Sequence, residues 1–499
     1  MSQAADAAHA DARARADRSA AWVGVASFVL GLLDLLSTLI CLRWWVSTEE
    51  LGAATLAAAL FPILDRLGGM GLVSAVVRKP DTRPETLASI FWLGAAASGA
   101  LCAALCVARP IVGAWFPDPI IASLLAGYGG KLVVQNLAVV PEGLMKRELR
   151  YRELSLIRII SSGLGTATLL GAAWLGAHGV PELRIWCFAL GPITRTIVAT
   201  IGVQLCHRWW PRLRFERAIA GRVARFTAAM SGSELLFLAY TSADYLVVGL
   251  VFGKAAVGAY RLAYELVLDV VRLVSLVTAE VAFPTFVRLA RDPRAVGAQL
   301  LRFTRQNLIV LAPFVVFVAI EADDLLALLY PPLPPEAATA ARILCVVGSL
   351  RTLGFVLPPL LAAVGQASRV LVYELVAVVV LPLGFVIAAE TATASGFVAV
   401  AWAWAVGDPL AFAVLLAMAL PAAAVRLVTY LRAIGRVVAC ALGAAVAGGA
   451  MRLALAGPLA LRAGAVAVVV VASYGLLLAW LERITPAAIV RGFRAPPPA

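Results

Sequence analysis

The stretch YRLAYELVLDVVRLVSLV, residues 260–277, is long and apolar enough to cross a membrane as a helix, yet it contains four charged residues. These are Arg261, Glu265, Asp269 and Arg272. At 100° per residue they lie at about 0°, 40°, 80° and 20° around the helix, within about a quarter of its circumference. Arg261 is spaced to pair with Glu265, and Asp269 with Arg272. The pattern predicts a membrane-spanning helix with one polar face.

The rest of the chain has the composition of a membrane protein. Of its 499 residues, 62% are hydrophobic and only 14% are charged, whereas soluble domains are about half apolar and about a quarter charged. Apolar runs of about 20 residues recur along the sequence. We therefore predict an all-α polytopic membrane protein with about 14 transmembrane helices. The predicted spans are 22–42, 51–77, 87–108, 119–143, 157–176, 182–206, 228–252, 257–284, 307–329, 338–363, 369–389, 397–420, 436–456 and 462–481.

The basic residues predict the orientation of these helices. Every second loop is rich in Lys and Arg, which is the positive-inside pattern, and it predicts that both chain ends are cytoplasmic. The net charge of +13 is thereby explained mostly by topology. Because the basic residues are dispersed over the inside loops, we predict no nucleic-acid partner.

Hydropathy and charge also suggest an internal organisation. A recurring transporter architecture has two related halves with a site where they meet. On that basis we predict two six-helix lobes followed by two C-terminal helices. The predicted segments are a cytoplasmic tail (1–21), an N-terminal lobe (22–206), a basic cytoplasmic linker (207–227), a C-terminal lobe (228–420), helices 13 and 14 with the basic loop before them (421–481) and a cytoplasmic tail (482–499).

Several kinds of catalytic or structural site are not indicated by the sequence. GYGGKL (127–132) lacks the leading Gly and the trailing Ser or Thr of a phosphate-binding loop. The three histidines are scattered, so we predict no metal site and no histidine-based catalytic site. The seven cysteines lie in or beside apolar runs, and we predict no structural disulfide. A channel, a secondary transporter or flippase, and a structural membrane subunit remain, and of these we expect a transporter or flippase rather than an enzyme.

Ionisable residues at membrane depth cost at least ~2.5 kcal/mol each and usually face water or one another. Two interpretations are open: a neutralised stripe that packs a helix on a polar neighbour, or the wall of a cavity that receives a charged substrate. Repetition of the feature in several spans favours the cavity. Arg342 and Glu321 are interpreted as snorkelling to the interface. The basic candidates are Arg66, Arg261, Arg272, Lys131 and Arg351, and the acidic candidates are Asp34, Asp65, Glu234, Asp244, Glu265, Asp269 and Asp408.

Four segments together resemble one family of membrane proteins. EGLMKRELRYRELSLIRIISSGLGTAT (142–168) resembles the basic link before the fifth span of repeat-unit exporters, and ADYLVVGLVFGKAAVGAYRLAYEL (243–266) resembles their hairpin of spans seven and eight. AFPTFVRLARD (282–292) resembles the end of their eighth span, and LDRLGGMGLVSAVVRK (64–79) their second. The family is that of the oligosaccharide or polysaccharide repeat-unit flippases, within the multidrug/oligosaccharidyl-lipid/polysaccharide exporter superfamily.

The resemblance implies a flippase in the bacterial inner membrane. It would move an oligosaccharide linked to undecaprenyl pyrophosphate from the inner to the outer leaflet by alternating access, for O-antigen, capsule or exopolysaccharide synthesis. Arginines on spans one, two and eight line the cavity of related lipid II flippases, and here spans two and eight supply Arg66, Arg261 and Arg272. Span one supplies Asp34 instead, which departs from that pattern. Asp34 could form an ion pair with an arginine from a neighbouring helix.

The expected partners are the lipid-linked oligosaccharide, membrane lipids, a polysaccharide polymerase and a chain-length regulator. No cofactor is expected. Coupling to Na⁺ or H⁺ through Glu265 and Asp269 is a hypothesis, because desolvated carboxylates bind protons more readily. Three alternatives stay open: a cation-coupled drug antiporter of the same superfamily, a membrane polymerase or ligase of polysaccharide assembly, and a noncatalytic scaffold subunit.

Overall fold

The computed structural model describes residues 30–482, apart from residues 32, 35, 70, 79–82, 117, 149 and 392–394 and the side chains of residues 78, 226, 228–231, 233, 280 and 482. Within these residues all regular structure is helical. The first helix, α1, is continuous over 36–44. The following helices in the first half are α2 (Thr48–Gly69), α3 (Leu72–Arg78), α4 (Pro84–Val107), α5 (Arg109–Trp115), α6 (Pro119–Arg147), α7 (Tyr151–His178), α8 (Leu183–Cys206) and α9 (Arg217–Phe252).

The second half begins with α10 (Lys254–Tyr264), which passes through a π-helical segment, Glu265–Asp269, directly into α11 (Val270–Leu289). The remaining helices are α12 (Pro293–Leu329), α13 (Glu336–Gly354), α14 (Leu357–Ala363), α15 (Ala367–Thr391), α16 (Val398–Ala422), α17 (Leu427–Ala454) and α18 (Leu459–Glu482).

Eleven helices in the described part are long and apolar enough to cross a membrane. They correspond to eleven of the predicted spans. Of the other three, 22–42 begins outside the described residues, while 257–284 lies on α10 and α11 and 307–329 on α12, which are not among the eleven. The all-α membrane fold is therefore confirmed, and the count of 14 stays a prediction.

Large apolar side chains are exposed along the C-terminal helices. On α17 Leu442 is 63% and Val446 75% exposed, and on α18 Val468 is 69% exposed. Soluble monomers rarely leave such a surface uncovered. We interpret this surface as facing lipid, as expected of spanning helices.

The described residues divide into two compact units, with the division between Gly258 and Ala259. The predicted lobes 22–206 and 228–420 stay a prediction. The second half of the predicted linker is helical, because α9 begins at Arg217. One buried cluster of the first unit is made of apolar side chains of α3, α4, α6 and α9, among them Leu72, Ile90, Val140 and Val223.

Two glycines allow α2 to approach α10 closely in the first unit. A Cβ at Gly52 would lie 1.7 Å from the carbonyl oxygen of Lys254, and one at Gly258 would lie 2.0 Å from that of Thr48. Neither position has room for a side chain. Nearby, the Lys254 side chain binds Asp118 at 3.3 Å, and this hydrogen bond is the main cause that raises the pKa of Lys254.

The second unit has a core built from six helices. Its buried side chains include Phe286 of α11, Leu300 of α12, Leu360 of α14, Leu415 of α16 and Val466 of α18. The LPPLL motif (357–361) falls where the tenth predicted span is interrupted: α13 ends at Gly354 and α14 begins at Leu357. Proline lacks the N–H that a continuing helix would need, which explains the break.

The π-helical segment lies within the charged stretch 260–277. A π-turn holds one more residue than an α-turn, so it changes the direction in which later side chains point. The angles predicted from the sequence assumed an uninterrupted α-helix and are therefore wrong beyond Glu265. Such segments are frequent at functional sites.

Candidate functional site

In the first unit, adjacent residues of α2 form ion pairs with two different helices. Lys131 of α6 donates to both carboxylate oxygens of Asp65, at 2.8 and 2.9 Å. Arg66 pairs with Glu234 of α9. The Lys131 side chain is only 9% exposed, whereas Arg66 is 41% and Glu234 49% exposed. The first pair is therefore largely internal, and the second is open.

Asp34 of the first predicted span accepts from Arg195 of α8, with Nη2 2.5 Å from Oδ1. The first span has Asp34 where the family pattern has an arginine. The structure explains this difference, because the arginine at this position comes from another helix. Sequence reasoning did not single out Arg195. Its signal was a cation at the middle of the apolar run 182–206.

Tyr128 lies between the charges of the first unit. Its ring stacks on Phe61, and the Lys131 Nζ lies 4.7 Å from the ring centroid. Its hydroxyl is within electrostatic reach of Asp65 and Arg195. The aromatic ring therefore holds the Lys131 ammonium by a cation–π contact while that ammonium binds Asp65.

In the second unit, both pairs expected within the charged stretch are present. Arg261 Nε lies 2.5 Å from Glu265 Oε1, and Arg272 Nε lies 3.5 Å from Asp269 Oδ1. Arg261 and Glu265 are less than one-fifth exposed, but Arg272 is 61% exposed. The two carboxylates are the first and last residues of the π-helical segment.

A third pair lies next to these two. Arg351 of α13 is 3.7 Å from Asp408 of α16, donates to the Tyr264 hydroxyl at 3.1 Å and lies 4.3 Å from the ring centroid of Trp404. Asp269 is within electrostatic reach of Arg351. The second unit thus brings all six of its predicted candidates into one neighbourhood.

The predicted charges combine into a simple arrangement. Each of the five predicted basic residues pairs with one predicted acidic residue, and Asp34 pairs with Arg195. The last acidic candidate, Asp244, is fully buried and accepts from its neighbour's N–H, that of Tyr245, at 2.8 Å. The most exposed of the predicted cations are Arg66 and Arg272. Charged groups avoid lipid, so the exposed guanidinium groups of these two arginines are expected to contact water.

The structure also shows charged groups that were discounted or missed. Glu321 is fully buried at a kink in α12, with the Arg452 Nε 4.0 Å from its carboxylate. Its interpretation as a snorkelling residue is therefore wrong. Arg342 pairs with Asp323, and Arg462 Nε lies 2.6 Å from Asp324. These contacts join α12 to α13, α17 and α18.

Glu374 of α15 was not among the candidates either. It is 7% exposed, and one of its oxygens has no hydrogen-bond partner within the described residues. A single acidic residue in the apolar run 369–389 was the available signal. Among the described residues, no group of three or more His, Cys, Asp or Glu side chains is placed to hold a metal ion.

Comparison with known proteins places this arrangement in context. Lipopolysaccharide biosynthesis protein WzxC of Escherichia coli (strain K12) is 21% identical over 350 residues, 69% of this chain and 69% of that protein. Succinoglycan biosynthesis transport protein ExoT of Rhizobium meliloti (strain 1021) is 26% identical over 268 residues, 54% of this chain and about half, 53%, of its own length.

Among solved structures, the lipid II flippase MurJ in an inward closed conformation matches with a TM-score of 0.73 and 13% identity, over 92% of this chain and 98% of that one. At this identity the match shows the fold.

The family described as polysaccharide biosynthesis protein matches residues 44–331. That range covers more than half of the sequence and includes both ends of four of the six ion pairs, so the chain belongs to the polysaccharide biosynthesis protein family.

Proposed function

We propose that this protein moves an oligosaccharide repeat unit, linked to undecaprenyl pyrophosphate, from the inner to the outer leaflet of the bacterial inner membrane. The transfer serves O-antigen, capsule or exopolysaccharide synthesis, and the polymerase and chain-length regulator act on the product. The protein works by alternating access and does not itself make or break covalent bonds. The family membership and the names of the relatives support a transporter of lipid-linked saccharide.

The observation that carries the proposal is the pairing of charges at membrane depth, with Arg66 and Arg272 exposed in their respective units. A guanidinium stays ionised and binds two phosphate oxygens at once, so it suits a pyrophosphate. In the empty protein Glu234 and Asp269 neutralise these arginines. An arriving pyrophosphate replaces those carboxylates as the partner.

This exchange gives the acidic partners a role in coupling. A carboxylate that loses its arginine at membrane depth carries a negative charge with no counter-ion. Binding a proton or Na⁺ neutralises that charge and lowers its free energy in the membrane. Substrate binding to Arg66 or Arg272 would therefore promote cation uptake at Glu234 or Asp269. Release of the headgroup on the other side restores the ion pair and expels the cation. A drug antiporter handles cationic substrates, for which the two exposed arginines, Arg66 and Arg272, are a poor match.

The proposal is tested in cells that lack the gene. Lipid-linked oligosaccharide in the outer leaflet of spheroplasts is accessible to added lectin or glycosidase, and that in the inner leaflet is not. We expect the substrate to accumulate in the inner leaflet and the wild-type gene to restore exposure. Arg66→Ala and Arg272→Ala should be present in the membrane and fail to restore it. Arg291→Ala, at an exposed position after α11, serves as the control and should restore it.

Two results would overturn different parts of the proposal. Normal exposure of the substrate without the gene would show that this protein is not the flippase. Rescue by the gene together with full rescue by Arg66→Ala and Arg272→Ala would keep the flippase and remove the arginines from the headgroup site.

A further inference from the structure

Two cysteines from different helices of the first unit have their thiols next to each other. Cys41 is in α1 and Cys187 in the second turn of α8, and both are fully buried. Their thiols are within hydrogen-bonding reach of one another. They pack with Val46, Ala172 and Ala173 in one apolar cluster. All seven cysteines are free thiols in this structure.

A second contact fixes the alignment of the same two helices. Asp34, just before α1, pairs with Arg195 of α8, and this contact lies about two turns away from the cysteines in both segments. Seven residues separate Asp34 from Cys41 and eight separate Cys187 from Arg195, or about 10 and 12 Å of helix. The two distances are similar, so both the ion pair and the cysteine pair can form in a single antiparallel alignment of the two helices.

The flanking residues place the cysteine pair near one surface of the membrane. Cys41 is followed by Arg43, Trp44 and Trp45, and Cys187 is preceded by Arg184 and Trp186. Tryptophan is enriched at the membrane–water interface. The predicted orientation puts this end of both helices on the outer side, where the compartment is oxidising and disulfides persist.

We propose that Cys41 and Cys187 form a disulfide in the mature protein, although the positions of the cysteines in the sequence predict no structural disulfide. The two thiols lose two electrons and two protons as one S–S bond forms. The disulfide of a thiol–disulfide oxidoreductase on the outer side is reduced to its dithiol in the same exchange. Because both thiols are buried once α8 has docked on α1, the exchange takes place during assembly of the first unit. The bond fastens the first and sixth predicted spans together at their outer ends.

The proposal depends on the predicted orientation and not on the proposed transport activity. Its test uses full-length protein in which only Cys41 and Cys187 are kept and the other five cysteines are replaced by serine. Membranes are dissolved in SDS with N-ethylmaleimide to block free thiols, then reduced, and the protein is labelled with a maleimide-polyethylene glycol. We expect two adducts per chain after reduction and none without it.

Two further samples make the result unambiguous. Chains that keep only Cys206, exposed at the opposite end of α8, should be blocked by N-ethylmaleimide and carry no adduct. Protein from cells without the periplasmic oxidase should behave in the same way for Cys41 and Cys187. If these two thiols are blocked as fully in oxidising cells as Cys206 is, the disulfide does not form and the proposal fails.

A stability measurement provides an independent check. A disulfide that closes a loop of four predicted spans restricts the unfolded chain strongly, so its reduction should lower the melting temperature of the purified protein. The Cys41→Ser/Cys187→Ser double variant should melt at the same temperature with and without reductant. An unchanged melting temperature of the wild type on reduction would contradict the proposal.

Discussion

Asp65 and Arg66 are neighbours in sequence and bind opposite charges on different helices, Asp65 to Lys131 of α6 and Arg66 to Glu234 of α9. Successive residues of a helix are 100° apart, which lets one short segment reach two neighbours. The two pairs differ in environment, since Lys131 is buried and Glu234 is half exposed. We therefore propose that the first pair serves packing and the second exchanges its partner for the substrate.

Exchanging the charges of the exposed pair separates these roles. In the variant Arg66→Glu/Glu234→Arg the ion pair can still form, so the protein should remain in the membrane at wild-type amounts. Flipping should fall by at least about tenfold, because a pyrophosphate contact worth about 1.5–3 kcal/mol is misplaced. The measurement is lectin access to the outer leaflet, normalised to protein amount.

The same exchange at a pair outside the proposed site provides the control. Lys146 binds Glu142 one turn away at the end of α6, at 2.7 Å. Lys146→Glu/Glu142→Lys should keep flipping near the wild-type level. If the Arg66/Glu234 exchange also keeps it, the pair serves only to neutralise charge.

The Arg351–Asp408 pair should matter for stability. Both side chains are mostly buried, at 19% and 10% exposure. Asp408→Asn leaves the guanidinium buried without this counter-ion, which should cost about 3–5 kcal/mol. Thermal unfolding of the detergent-solubilised protein should show a clear decrease in melting temperature.

Removing both charges should largely restore that stability. An apolar pair of similar volume often replaces a buried ion pair without loss. Arg351→Met/Asp408→Leu should therefore melt closer to the wild type than Asp408→Asn does. If Asp408→Asn melts at the same temperature as the wild type, Asp408 does not stabilise the charge of Arg351.

The π-helical segment should absorb one residue without changing the direction of the charged side chains beyond it. A π-turn holds one more residue than an α-turn, so deleting Leu266 should convert Glu265–Asp269 to α-helix. Asp269 and Arg272 would then keep their direction relative to Arg261. We expect the protein to stay in the membrane and flipping to be largely retained, measured by lectin access.

The control for this deletion keeps the length of the chain. Leu266→Ala removes most of the same side chain and leaves the π-helical segment in place, so flipping should be largely retained. Loss of flipping in the deletion variant alone would contradict the prediction, and equal loss in both variants would attribute the loss to the leucine side chain.

The close approach of α2 and α10 should tolerate no side chain at Gly52. A Cβ there would overlap the Lys254 carbonyl, and backbone cannot move aside as a flexible side chain can. Gly52→Ala should prevent accumulation of folded protein, measured as the monodisperse fraction after detergent extraction. Gly163→Ala, on α7 with open space around its Cβ, should be neutral or stabilising by about 0.5–1 kcal/mol. Normal folding of Gly52→Ala would show that the two helices can separate.

Features that depend on local periodicity could be predicted from the sequence. Hydropathy identified eleven helices that the structure confirms as long and apolar enough to span a membrane, and i,i+4 spacing predicted Arg261–Glu265. Pairs between helices, such as Asp34 with Arg195, depend on which helices become neighbours, and one sequence does not contain that information. The π-helical segment was missed because a fixed 100° step was assumed. Glu321 was misjudged because its position near a helix end resembled that of an interfacial residue.

The pairing between distant helices also sets an order for biosynthesis. Ribosomes add about 5–20 residues per second, and Glu234 is synthesised about 170 residues after Arg66. Arg66 of α2 therefore has no counter-ion for on the order of ten seconds or more, because Glu234 has not yet been synthesised. During that interval the nascent segment must stay where water or lipid headgroups can solvate it. Final seating of α2 in the bilayer waits for the arrival of α9.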